Sequence, residues 1–183
     1  MGASGSHGAT ALGFLTAVEH EQGVFGGYLI LNAAGRPLEF HCTAPVKANR
    51  PQQILYGPTL EPYLYGEVIG QALLEKGVAK PVIVCTDREA MLAVRPLASM
   101  AVVQVWAPPE QADGKQLRID GPHSVQPPAR FFNLGRNRLA TAAGHAEDRK
   151  LLDGKLAELI EGFDLNEPFA RIREAIREAQ QVS

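Results

Sequence analysis

Residues 80–87 read KPVIVCTD, a run that is apolar from its second to its sixth residue and ends in Thr86-Asp87. A strand with apolar side chains on both of its sides is typical of a sheet that is covered on both faces. REAMLAVR follows and predicts a short helix that ends before Pro96. Asp87 therefore has two interpretations: it caps this helix by accepting an amide hydrogen, or it is part of a metal-binding acidic cluster.

Three other strand-like runs, LGFLTAVEH, FGGYLILN and PLEFHCTA, lie within residues 12–44 and are joined by short turns. They predict three consecutive antiparallel strands. In the third run, Leu38, Phe40 and Cys42 alternate with polar residues, the period of a strand with one covered face. We therefore expect Cys42 to behave as a small apolar residue of the core.

A turn-rich linker, VKANRPQQILYGP, precedes a helix that is predicted from near Pro62 to Gly77. Its buried stripe is predicted from apolar residues spaced four apart: Leu60, Leu64, Val68 and Ala72. MAVVQVWAPP predicts a fifth strand. Residues 108–137 have an irregular pattern, in which QLRID is a candidate edge strand, and a helix is expected over about 145–160.

The order of these elements is βββαβαβ followed by C-terminal helices. Right-handed crossovers would place the fourth and fifth strands parallel to the first, which predicts a mixed five-stranded α/β sheet. We expect a flexible N-terminus over residues 1–11, an α/β domain over 12–162 and a C-terminal amphipathic helix over 163–183. The apolar stripe of this last helix must pack on its own domain, on a second copy or on another protein: Phe169, Ile172, Ile176 and Ala179.

Composition excludes few functions. The chain has 183 residues with a formal net charge of -2, so nucleic-acid binding would depend on a local basic patch. The absence of a run of 18 apolar residues predicts a protein without a membrane span. Two cysteines do not form a disulfide framework, and we expect a reduced, cytoplasmic setting.

Several stretches occur in the order in which similar stretches occur in ribonuclease H-like proteins. GGYLILNAAGRPLEF resembles the second and third strands of that family, GEVIGQALLEKG its first helix, VIVCTDREAML its fourth strand, and GHAEDRKLLDGKLAEL its Gly-His loop and last core helix. The resemblance covers about residues 12–160. The family has an aspartate in the first strand, whereas this chain has AVEHE there.

The resemblance implies hydrolysis of nucleic-acid phosphodiesters by two divalent ions, Mg²⁺ or Mn²⁺, held by carboxylates. The implied metal ligands and catalytic residues are Glu19 or Glu21 on the first strand, Glu67 on the helix, Asp87, and Asp153 or Asp148 near the last core helix. His145 would be the catalytic histidine that helps the product leave.

Each of these residues also has a structural interpretation. In this interpretation, the solvent-exposed faces of their elements carry Glu19, Glu21 and Glu67, and His145 lies at the start of a helix without a catalytic role. A candidate nucleic-acid patch is formed by basic residues near aromatic ones or near the linker: Lys47, Arg50, Arg130, Arg136 and Arg138. The same pattern is found in loops that pack their aromatic side chains and leave their charges in water.

Three functional hypotheses follow. The first is a metal-dependent nuclease of the ribonuclease H-like fold. The second is a non-catalytic binding or scaffold domain of the same fold, which engages a protein or nucleotide-containing partner through the sheet edge or the C-terminal helix, or forms a homodimer through the C-terminal helix. A thiol or histidine enzyme centred on His41 and Cys42 is a third hypothesis, for which the sequence offers no orienting partner.

Overall fold

The computed structural model describes residues 10–107 and 130–181. Its centre is a mixed seven-stranded sheet with the strand order β3-β2-β1-β4-β5-β7-β6. β4 and β5 run parallel to β1, and the other neighbouring strands are antiparallel. The strands are β1 (Ala11–His20), β2 (Gly23–Asn32), β3 (Pro37–Cys42), β4 (Ile83–Thr86), β5 (Ala101–Val105), β6 (Phe132–Leu134) and β7 (Asn137–Thr141).

The α/β class and the mixed sheet are confirmed, whereas the sheet has seven strands, and not five, within residues 10–107 and 130–181. The two additional strands, β6 and β7, form a hairpin that turns at Gly135, where φ is +57°. β6 has only three residues, and arginines interrupt the apolar pattern of the hairpin, so its period is weak. The expected edge strand QLRID and most of the expected flexible N-terminus lie outside the described residues.

One face of the sheet is covered by helical segments that begin earlier than expected, inside the linker. The segments are α1 (Arg50–Tyr56), a 3-10 turn (Gly57–Thr59), α2 (Leu60–Pro62), a π-helix (Tyr63–Gly70), α3 (Gln71–Lys76) and a 3-10 helix (Glu89–Leu97). Asn49 caps α1, since its side chain accepts from the Gln52 amide at 2.9 Å. This reciprocal capping explains why a turn-rich sequence becomes helical.

The π-helix changes which residues of this segment are buried. A π turn contains one more residue than an α turn, so the buried stripe advances from Leu64 to Ile69 and then to Leu73. The predicted positions Val68 and Ala72 are half-buried and exposed. The prediction of an unbroken 3.6-residue period was wrong here.

The opposite face is covered by a 3-10 helix (Ala146–Leu152), α4 (Lys155–Glu161) and α5 (Glu167–Gln181). Phe169, Ile172 and Ile176 of α5 are buried in one core with apolar residues of β1, β2 and β4. Three of the four residues of the predicted stripe, Phe169, Ile172 and Ile176, therefore pack on their own sheet and do not form a surface for a second copy or another protein, whereas Ala179 is exposed.

Two adjacent glycines of β2 allow helices to approach both faces closely. A Cβ atom on Gly26 would lie 2.2 Å from Ile69 Cγ2, and one on Gly27 would lie 2.3 Å from Ile172 Cγ2. Both distances are far below van der Waals contact, so side chains here would push the π-helix and α5 away. Gly26 and Gly27 thus allow the π-helix and α5 to pack close to the backbone of β2 on its two faces.

Within the described residues, no helix has the length and apolar character needed to cross a membrane.

Candidate functional site

Asp87 lies directly after β4, and its carboxylate makes two contacts between distant parts of the chain. Oδ1 accepts from the Thr16 hydroxyl on β1 at 2.6 Å. Oδ2 accepts from the guanidinium of Arg173 on α5. The side chain of Asp87 is 4% exposed and that of Arg173 is 27% exposed, so this ion pair is nearly buried. The carboxylate ties the C-terminal helix to the end of the central strands.

The interpretation of Asp87 as a helix cap is wrong. The N-cap residue of the 3-10 helix (Glu89–Leu97) is Arg88, whose backbone is extended. The Arg88 amide is bound by the neighbouring threonine, with its nitrogen 3.1 Å from Thr86 Oγ1. Asp87 instead points toward α5.

Glu19 lies three residues beyond Thr16 on β1, and it accepts a hydrogen bond of 2.8 Å from the Tyr65 hydroxyl of the π-helix. Because side chains alternate along a strand, Thr16 and Glu19 lie on opposite faces of the sheet. Thr16 is on the α5 face with Asp87, and Glu19 is on the face of the π-helix. Burial first, and then the Glu19 carboxylate, raise the pKa of Tyr65, so this phenol stays protonated and donates.

Glu19 also lines a cleft of about 530 Å³ at the end of β1. Its walls include Val24, Leu64 and other apolar side chains, and Lys47 and Glu61 lie at its rim. In open α/β sheets, ligands bind at the carboxyl ends of parallel strands, and this cleft occupies such a position.

A larger cleft of about 840 Å³ lies on the other side of Pro58 and Glu61. Its walls consist mainly of alanine and proline. Two of its charged residues, Glu89 and Arg130, form an ion pair with each other, and Arg130 also donates to Gln104 at 2.8 Å. Much of the charge in this cleft is therefore already balanced within the chain.

The remaining predicted acidic residues are dispersed. Glu67 is exposed on the π-helix, and Glu21 is exposed in the turn after β1. Asp153 is exposed between the 3-10 helix (Ala146–Leu152) and α4, and His145 is half-buried, with Nδ1 3.4 Å from Oε1 of Glu147.

Asp148, the alternative to Asp153, is buried and forms a bidentate ion pair with Arg95 at 2.5 and 2.8 Å. The hydrogen bonds to Asp148 raise the pKa of Arg95. This pair joins the two 3-10 helices that lie on either side of the sheet end, which is a structural contact.

Within residues 10–107 and 130–181, no group of three or more His, Cys, Asp or Glu residues is arranged so that it could hold a metal ion. The sequence had suggested that acidic residues from four elements meet. The structure brings Asp87 together with Thr16 and Arg173, and Glu19 together with Tyr65, on opposite faces.

The predicted basic patch is divided between two ends of the sheet. Lys47, which precedes α1, and Arg50, the first residue of α1, are exposed, whereas Arg136 and Arg138 are exposed on the β6–β7 hairpin. At least four strand spacings, roughly 19 Å, separate β2 from β7. The Arg138 guanidinium lies 5.7 Å from the centre of the Trp106 ring.

In the edge strand β3, the side that faces solvent is the opposite of the one expected. Leu38 is 47% exposed, Phe40 is 39% exposed, and Cys42 is also exposed, so the prediction of a core cysteine was wrong. Glu39 and His41 instead face the side of the helical segments, where His41 Nε2 lies 2.8 Å from Glu39 Oε2.

Glu39 fixes this orientation by binding the loop after α3. Its carboxylate accepts from the amides of Val78, at 3.0 Å, and Ala79. The hydrogen bonds from His41 and from these two amides lower the pKa of Glu39 to about 2. A carboxylate that holds two backbone amides keeps the polar side of β3 inward, and this leaves the apolar side in solvent.

Thr16, Tyr65 and Arg173 were not predicted from the sequence. Arg173 is 86 residues from Asp87, and the sequence contains no signal for this pairing. Thr16 is a polar residue inside an otherwise apolar strand segment, and this break in the pattern was the available signal.

Comparison with known proteins gives no match to a protein-family model and none to a curated protein sequence.

Proposed function

We propose that this chain is a non-catalytic binding domain with ribonuclease H-like topology that engages a protein partner through the edge strand β3. The topology is supported by the order β3-β2-β1-β4-β5, in which the first three strands are antiparallel and β4 and β5 are parallel to β1. This is the arrangement that the resemblance implies.

The observation that supports the non-catalytic role most directly is that both oxygens of the Asp87 carboxylate already have partners within the chain. In a two-metal centre, carboxylates from several elements must face ions that are about 4 Å apart. Here, both oxygens of Asp87 are bound by Thr16 and Arg173, and the guanidinium already supplies the positive charge beside the carboxylate.

The other implied ligands do not complete such a centre. The β1 residue in contact with Asp87 is a threonine, and the nearest predicted acid on β1, Glu19, lies on the other face and roughly 10 Å further along the strand. The side chains of the described residues therefore do not fit the two-metal site that the resemblance implies.

The binding role is supported by β3. An edge strand with free backbone groups and exposed apolar side chains is a template for pairing with another chain, and natural proteins usually protect such an edge with charge. The exposed side of β3 carries Leu38, Phe40 and Cys42.

The test is to measure cleavage of an RNA–DNA hybrid, a duplex and single strands in millimolar Mn²⁺ or Mg²⁺, together with thermal melting in the same solutions. We expect no metal-dependent cleavage and no metal-dependent rise in melting temperature. Asp87→Asn and the exposed control Glu178→Gln on α5 should behave like the wild type in the cleavage assay. Metal-dependent cleavage by the wild type that Asp87→Asn abolishes and Glu178→Gln does not would support the nuclease hypothesis instead.

A further inference from the structure

The cleft of about 530 Å³ at the end of β1, which we call the β1 cleft, has the size of a small-molecule site. Much of its wall is apolar and comes from β2, from the loop before α1 and from the helical segments: Val24, Val46, Ala48, Pro58, Leu60 and Leu64. Since burying apolar surface is favourable, such a wall selects ligands that have an apolar body.

Two carboxylates line the β1 cleft without a cationic partner. Neither Glu19 nor Glu61 forms an ion pair with a residue of 10–107 or 130–181. Glu19 accepts one hydrogen bond from these residues, at Oε1 from the Tyr65 hydroxyl, and Oε2 is left to accept from a ligand. The cleft therefore combines an apolar wall with negative charge that the described residues do not neutralise.

Both carboxylates act on the same hydroxyl group. The pKa of Tyr65 is raised first by burial, then by its hydrogen bond to Glu19 and the charge of Glu19, and then by the charge of Glu61. The guanidinium of Arg88 lowers this pKa, and its effect is the smallest of these. Because the effect of a charge falls with distance, the two carboxylates outweigh Arg88 at the Tyr65 hydroxyl. This part of the cleft favours a cation.

The hydrogen-bonding groups at this place match a primary ammonium. The protonated Tyr65 hydroxyl donates to Glu19, so its oxygen can still accept, as can Glu19 Oε2 and the carboxylate of Glu61. An ammonium group has three N–H donors and no acceptor. A metal ion fits less well, because the part of the chain that the structure describes brings no three His, Cys, Asp or Glu side chains together for one.

We propose that the β1 cleft binds a primary amine, in its ammonium form, that carries an apolar body. The ammonium group donates to Glu19, Tyr65 and Glu61, and the body packs on the apolar wall. This inference goes beyond the proposed role of β3, because no residue of β3 lines the cleft. Lys47 also lines the cleft, and its charge should weaken the binding of a cation.

The first test is a titration of the full chain with phenethylamine at neutral pH and constant ionic strength, followed by NMR spectroscopy. We expect saturable shifts of amides around the β1 cleft and a dissociation constant of about 1 mM. Phenethyl alcohol and hydrocinnamate have the same apolar body with a neutral and an anionic group, and each should bind at least fivefold more weakly. Absence of saturable shifts with phenethylamine would overturn the proposal, as would equal or tighter binding of the alcohol or the anion.

The second test changes the charges of the cleft one at a time. Glu61→Gln should weaken phenethylamine binding about tenfold, because it removes a charged acceptor from an exposed side chain that the fold does not need. Lys47→Met should strengthen binding about threefold, because it removes a like charge. Glu158→Gln, an exposed position on α4, is the distant control and should change nothing.

The signs of these two effects distinguish the proposal from its alternatives. A cleft that binds only the apolar body would respond to neither Glu61→Gln nor Lys47→Met. An anion site would respond with both signs reversed. Either result would overturn the proposal, and thermal melting of each variant shows that its fold is retained.

Discussion

The end of β4 and the edge strand β3 differ in which side chains are covered and which are exposed to solvent. At the end of β4, a carboxylate that could have faced a ligand is covered by α5 and neutralised by Arg173. At β3, apolar side chains that could have been covered face the solvent, because Glu39 holds the polar side inward. We call the end of β4 at Asp87 the closed position, because its carboxylate is covered by α5. We call the edge strand β3 the open position, because its apolar side chains are exposed.

The largest expected effect comes from removing the cation at the closed position. Arg173→Met leaves the nearly buried Asp87 carboxylate without its ionic partner, and we expect the free energy of unfolding to fall by about 3 kcal/mol. Denaturant titration measures this value. The matched control is Arg177→Met on the same helix, whose ion pair with Glu174 is more than half exposed and should cost less than about 1 kcal/mol. Equal effects would contradict the special role of Arg173.

The next effect concerns the packing that holds α5 over the site. Gly27→Val introduces atoms within 2.3 Å of Ile172 and should destabilise the fold by about 1–3 kcal/mol, with faster hydrogen exchange in α5. Gly162→Ala is the control, because a Cβ there would lie no closer than 3.9 Å to other atoms. Unaltered exchange in α5 would mean that Gly27 does not set its distance from the sheet.

At the open position, Glu39→Gln should change how stability depends on pH. The folded pKa of Glu39, about 2, is below its ordinary value of 4.5, so the ionised group stabilises the fold above about pH 4.5. This contribution is lost as the pH falls from about 4.5 to 2. The difference in melting temperature between wild type and variant should therefore shrink over that range. Glu21→Gln, at an exposed turn position, should show no such trend.

The smallest effect on stability is expected at the exposed side of β3. Phe40→Lys should lower the free energy of unfolding by about 1 kcal/mol, since Phe40 is 39% exposed and loses only a partial burial. Denaturant titration checks this. A large loss would show that Phe40 supports the fold and would weaken its assignment as a contact residue.

The sequence predicted the elements whose signal is local. The apolar run before Asp87 gave β4, and the three strand-like runs gave β1, β2 and β3. The class of fold followed from their order, because parallel strands need helical crossovers.

Features that depend on contacts between distant parts of the chain could not be predicted from the sequence pattern. Alternation along β3 gives the period of a strand but not which face is covered, and that face is decided by Glu39 and the loop at Val78. The π turn shifts the buried stripe by one residue, which a 3.6-residue pattern does not anticipate. The partner of Asp87 lies on another helix 86 residues away.

The central claim is that Asp87 is an ion-pair partner of Arg173 and not a metal ligand. The most direct measurement is a double-mutant cycle in which the free energy of unfolding is determined for the wild type, Asp87→Asn, Arg173→Gln and the double variant, in a metal-chelating buffer. We predict a coupling energy of about 1–3 kcal/mol between the two positions. Additive effects within about 0.5 kcal/mol would contradict the account, because they would show that the two side chains do not interact in the folded protein.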